Sequence, residues 1–183
     1  MPTRLANFVF LVETEALVVI EPRRGAYVSD VSVKEMVDTL VVREDLEALA
    51  ASLTAKRITK EELEGLEKKV TDYSEAIASG DMEQIIRADE SFHHKIVALS
   101  GNKALIQLFS SVQELSLRFR YLYYEDFTRY ENMPVEHKEI LEAIRTGDGD
   151  AARIVSDNHV KKLKEFVVNE GESAFRSRSN NSE

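Results

Sequence analysis

From Ser32 to Val168 apolar residues recur every three to four positions, interrupted only at capping and glycine signals, which confines the chain to long amphipathic helices. Ser32 with Glu35 forms a capping box opening a stripe through Met36, Val37, Leu40, Val41, Leu46 and Leu49. Thr59 with Glu62 repeats the device ahead of Leu63, Leu66, Val70, Tyr73 and Ile77, and Gly80 ends that segment. Asp81 is placed to cap a third helix, carrying Ile86, Asp89, Phe92, His93, Ile96 and Val97 and closed by Ser100-Gly101-Asn102. A fourth follows with Leu105, Leu108, Phe109, Val112, Leu115 and Phe119 inward. Val135 to Arg145 forms a short fifth helix, and a sixth runs from about Asp150 to Val168 through Ile154, Val155, His159, Leu163 and Phe166. Only seven glycines and three prolines in 183 residues agree with so few reversals. The expected fold class is all-α, an antiparallel bundle of about six helices over residues 31–170. The Ser, Asn and Arg-rich stretch 171–183 is expected to be a disordered tail.

Ahead of the bundle, Leu17 to Ile20 and Ala26 to Val28 are strand-like and flank Glu21-Pro22-Arg23-Arg24-Gly25, which predicts a β-hairpin. Two arginines at its tip suit a DNA backbone or minor groove, and a solvated turn explains them as well.

A formal net charge of −9 argues against general nucleic-acid affinity, since polyanions repel, while leaving room for a local basic patch. The chain has no cysteine, which excludes disulfides and thiolate metal sites and fits a cytoplasmic location. No apolar run approaches the ~20 residues a bilayer demands, so a soluble, intracellular protein is expected.

Asp89 and His93 lie four residues apart on a helix and project from one face. His137 shares its stripe with Ile140, Leu141 and Ile144, and His159 shares one with Val155, Leu163 and Phe166, so both face inward. Three imidazoles and a carboxylate inside one core are costly unless something satisfies them. A shared divalent cation does so, and buried hydrogen-bonded pairs are the competing explanation. His94 is one position round and reads as a surface residue. Glu90-Ser91-Phe92-His93 is also an E-x-x-H sequence of the di-iron type, but that chemistry requires a second copy and the sequence has none, so an enzyme is not expected.

Asp89-Glu90-Ser91-Phe92-His93, Ser100-Gly101-Asn102 with Leu105, Glu136-His137 with Ile140-Leu141, Ala143 to Asp148, and His159 together resemble the FCD effector-binding domain of GntR-type transcriptional regulators, FadR subfamily. Glu21 to Val28 resembles the wing of that family's winged helix-turn-helix, and Arg43 with Leu46-Glu47 resembles the arginine motif of the effector domain's first helix.

The resemblance implies that Asp89, His93, His137 and His159 ligate a divalent metal (Zn, Ni or Mn). It also implies that the domain forms a homodimer and binds a small organic acid, with Arg43 and Arg118 or Arg120 as candidate partners for its carboxylate. Arg23, Arg24 and Gly25 are the candidate contacts to operator DNA. The sequence departs from the family at residues 1–30, which are expected to be a truncated winged-helix remnant. Arg4 to Val12 is apolar on all sides where a recognition helix would be basic on one. The expected function is a ligand-responsive transcriptional regulator. The alternative is a standalone metal- and small-molecule-binding dimerisation module without DNA binding.

Overall fold

The computed structural model describes residues 18–21, 25–28, 32–122 and 132–179, with backbone alone for both strands, Arg118, residues 121–122 and residues 170–179. The chain divides into two compact units, Met1–Ser32 and Val33–Glu183.

In the first unit, β1 (Val18–Glu21) and β2 (Gly25–Val28) pair antiparallel, with Val18 opposite Val28 and Glu21 opposite Gly25. The expected hairpin is present. Gly25 opens its second strand, whereas Arg23, Arg24 and the segment Arg4 to Val12 lie outside the described residues.

The second unit contains six helices among the described residues. They are α1 (Val33–Ala55), α2 (Lys60–Ser79), α3 (Met82–Leu99), α4 (Lys103–Leu122), α5 (Met133–Arg145) and α6 (Gly149–Ser179). Local chemistry sets their boundaries. Thr59 Oγ1 accepts from the Glu62 N–H at 3.2 Å while Glu62 Oε2 accepts from the Thr59 N–H at 2.9 Å, the reciprocal capping box the sequence announces. Asp81, Asn102 and Asp148 cap the starts of α3, α4 and α6 through side-chain oxygens. Gly80 ends α2 at φ 69°, a left-handed conformation that glycine adopts without strain.

Side-chain pairs show how the helices run. Glu44 of α1 meets Lys161 and Lys164 midway along α6, while a Cβ on Gly149 at the start of α6 would come 2.9 Å from the Ser52 carbonyl near the end of α1. The two helices are therefore antiparallel. The pairs His94 with Phe109 and Asp89 with Arg120 make α3 and α4 antiparallel. Glu67 with Arg145 and Tyr73 with His137 do the same for α2 and α5.

The interior is layered along the bundle. At one level Ala50, Ala51, Ile96, Phe109, Ile140 and Ala152 form the apolar core. One to two turns away along the same helices, the buried residues become Arg43, Glu47, Asp89, His93, Ser116, Arg120, His137 and His159.

Five residues expected on inner faces are exposed instead. Val41 is 49% exposed, and Leu108 is 60% exposed, with Leu115, Ile77 and Ile154 also turned outward. In their place α1 buries Arg43 and Glu47, and α4 buries Gln113, Ser116 and Arg120. The bundle needs polar groups at that level, so both helices turn apolar side chains out. The last helix also continues to Ser179, through residues 171–179 that composition assigns to a disordered tail. Once nucleated by the packed part of α6, a proline-free segment extends at one backbone hydrogen bond per residue.

Candidate metal centre

Each ligand candidate is placed by the helix that carries it. On α3, Asp89 and His93 sit one turn apart on the buried face. His137 projects from α5 and His159 from α6, whose antiparallel packing brings them to the same level. All four are buried.

The three imidazoles form a near-equilateral triangle, with ring centroids 5.0 Å apart for His93 and His137 and 5.2 Å apart for each with His159. One nitrogen from each lies within 4.8 Å of the others. Side-chain rotation can close that spacing to the roughly 3.4 Å edge of a tetrahedral site with 2.0–2.1 Å bonds. Asp89 joins them, its Oδ1 3.4 Å from His137 Nε2 and its Oδ2 3.8 Å from His93 Nε2.

A shell of charged groups surrounds this set. His93 Nδ1 is 2.8 Å from Glu47 Oε2, and Arg43 Nε donates to the other oxygen of the same carboxylate. Arg43 also donates to Ser116 Oγ at 3.0 Å, tying α1 to α4. His159 Nδ1 lies 2.8 Å from Glu136 Oε2, with Lys162 3.2 Å from Glu136 Oε1. Arg120 donates to Asp89 Oδ2 and approaches Met133 Sδ at 3.5 Å.

Among the described residues, Asp89 Oδ1, His93 Nε2, both ring nitrogens of His137 and, on α4, Gln113 Oε1 are buried without a hydrogen-bond partner. Such groups each cost about 1–3 kcal/mol when left unsatisfied. Asp89 Oδ1, His93 Nε2 and His137 Nε2 lie together at one level of the bundle and each can offer a lone pair, so the donor set fits a divalent cation of the Zn, Ni or Mn type.

Electrostatics keep the donors in ligating form. Burial pushes the His93 and His137 imidazoles below their ordinary range, against the pull of Glu47 and Asp89, so both are neutral. Burial alone would raise the Asp89 and Glu47 carboxyls. Their charged and hydrogen-bonding neighbours, led by Arg120 for the first and Arg43 for the second, together outweigh it and hold both well below the usual carboxylate range.

The family model of the FCD domain matches residues 38–162, a span that contains every one of these groups. The chain belongs to the FCD-domain family. A relative from Bacillus subtilis, the HTH-type transcriptional regulator YdhC, is 30% identical over 165 residues, covering 88% of this chain and 74% of its own length. The HTH-type transcriptional repressor RspR of Escherichia coli is 25% identical over 166 residues, covering 91% and 72%. In fold, the bundle resembles E. coli McbR/YncC at a TM-score of 0.77, with 20% identity over 92% of this chain and 84% of that one. Streptococcus agalactiae GntR gives 0.64, with 24% identity over 86% and 78%. The chain is thus a transcriptional regulator with an FCD effector-binding domain, not an enzyme.

Of the arginines proposed for an effector carboxylate, Arg43 is entirely buried on Glu47 and Ser116, and Arg120 is buried on Asp89. The Arg118 side chain lies outside the described residues. An open cleft of about 420 Å³ between α2 and α3, lined by Lys69, Asp72, Gln84, Arg87 and Ser91, shares no residue with the FCD domain's histidine cluster. Glu47 and Glu136 are the groups that sequence reasoning passed over. A carboxylate four residues after Arg43 and another directly before His137 were visible, but only the fold shows that they serve His93 and His159.

Proposed function

We propose that this FCD domain binds a divalent metal through Asp89, His93, His137 and His159 and, beside it, a small carboxylate effector that modulates operator binding. The observation that carries this reading is the clustering of one nitrogen each from His93, His137 and His159 beside Asp89, with Asp89 Oδ1 and His93 Nε2 buried and without a hydrogen-bond partner. When bound, the cation supplies a Lewis-acidic centre able to accept a carboxylate oxygen. Arg120, already seated on Asp89, is the described arginine nearest that centre, and Arg43 and Arg118 are the other candidates. A bidentate arginine–carboxylate pair would fix the orientation of such an acid. The FadR-subfamily assignment fits the same donor set.

Dimerisation is supported by α4, which exposes Leu108 and Leu115 seven residues apart on one side. In this reading the hairpin residues Arg23, Arg24 and Gly25 touch operator DNA, and the protein works in the cytoplasm. Among the described residues no helix is long and apolar enough to cross a membrane.

Isothermal titration of chelator-stripped protein with Zn²⁺, followed by a panel of small organic acids, tests the proposal. One equivalent of metal is expected to bind, acids are expected to bind more tightly to the loaded protein, and His137→Ala is expected to lose stoichiometric uptake. Full metal content in His137→Ala would overturn the ligand assignment. Acids that bind neither stripped nor loaded protein would overturn the sensor reading.

A further inference from the structure

We infer that Glu47, held by Arg43, is the positioning residue that fixes the tautomer of His93, and that this relay rather than ligand identity alone makes the site competent for a cation. The inference rests on the metal reading above and adds to it a group outside the ligand set.

A neutral imidazole carries its proton on either nitrogen, and only the unprotonated nitrogen can ligate. The Glu47 carboxylate is ion-paired through its other oxygen with the buried Arg43 guanidinium and so can only accept, which forces the proton of His93 onto Nδ1, 2.8 Å away. Nε2 is then left with its lone pair facing the cavity, where it has no partner. Arg43 can only donate. It gives Nε–H to Glu47 and a second N–H to Ser116, and it has no exposed surface through which to find another acceptor. The polarity of the chain Arg43 to Glu47 to His93 therefore has one solution.

The second relay resembles it with one difference. Glu136 accepts from His159 Nδ1, but a cation beside it, Lys162, is 52% exposed and can swing into water.

This difference separates two isosteric substitutions. In Glu47→Gln the amide carbonyl must turn to Arg43, whose Nε–H has no acceptor besides residue 47, so the NH₂ group faces His93 and donates to Nδ1. The imidazole proton moves to Nε2 and the ligand lone pair is lost. In Glu136→Gln the carbonyl can stay on His159 while Lys162 leaves.

The test is long-range ¹H–¹⁵N correlation of the histidine rings in metal-free protein, together with Zn²⁺ affinity measured by competition with a chromophoric chelator. Wild type is expected to show His93 protonated on Nδ1. Glu47→Gln is expected to move that proton to Nε2 and to weaken Zn²⁺ by about 10- to 100-fold, the usual scale for losing an outer partner of a ligand. Glu136→Gln should stay close to wild type. The double variant Arg43→Met, Glu47→Gln frees the carbonyl to return to His93 and should restore the Nδ1 proton.

A Glu47→Gln protein that keeps its Nδ1 proton, or a Glu136→Gln protein that loses as much affinity, would overturn the relay. Should Glu47→Gln fail to fold, the wild-type spectrum still decides, because a His93 proton on Nε2 refutes the inference by itself. Wild type that takes up no Zn²⁺ sinks the metal reading, while the tautomer judges the relay separately.

Discussion

Burying a histidine commits it to the neutral form, and in this bundle two of them carry that burden together. Desolvation lowers His93 and His137, while the unfolded chain returns both to about 6.5. The unfolded state therefore binds more protons as pH falls through about 6.5, and stability falls with it. Asp89 and Glu47, depressed by Arg120 and Arg43, add a second loss lower down, starting near the ordinary carboxylate value of about 4 as the unfolded chain takes up protons the folded one refuses. Urea midpoints of chelator-treated protein are expected to decline in two stages, the first below about pH 6.5 and the second below about pH 4. A midpoint that rises on acidification to pH 5.5 would contradict the neutral, buried state of these rings. Metal uptake is expected to survive below pH 6.5, because the same burial that opposes protonation keeps the donors available.

At the scale of elements, α1 and α4 each present a polar strip to the interior and apolar residues to the outside. Periodicity placed Val41 and Leu115 inward and was silent on Glu47, Gln113 and Ser116, because a one-dimensional pattern scores any polar residue as surface. Caps and stops fared better, since they are settled within four residues. Thr59 with Glu62, Asp81 and Gly80 act where the sequence puts them. The α1–α6 contact depends on a residue with no such signature. Gly149 lies against the Ser52 carbonyl, where a methyl group would approach to 2.9 Å, and against the Lys56 side chain. Lys56 can move aside, but the backbone oxygen cannot. Gly149→Ala is expected to destabilise by roughly 1–3 kcal/mol through overpacking. That exceeds the roughly 0.5–1 kcal/mol alanine gains over glycine within a helix. The urea midpoint should drop at unchanged m-value. A higher midpoint would show that the two helices separate without cost.

Across the whole molecule, the proposed ligands come from three helices far apart in sequence, α3, α5 and α6, and their outer partners bring in α1 and α4. A cation there would act as a cross-link through the bundle. At a hundredfold excess of metal over Kd it should add about 3 kcal/mol, so the thermal midpoint should fall in chelator and return with Zn²⁺. An identical midpoint in both conditions would argue against a structural cation.

The sequence by itself determined six helices, their capped boundaries, the hairpin ahead of them, and the inward bearing of Asp89, His93, His137 and His159. Each of those depends on interactions spanning a few residues, or on a periodicity visible along a single helix. Only the tertiary structure decided that Arg43, Glu47, Glu136 and Arg120 turn inward to hold those ligands. A buried ion pair needs a partner from another helix, and nothing in the local pattern distinguishes a charge that has one from a charge that faces water.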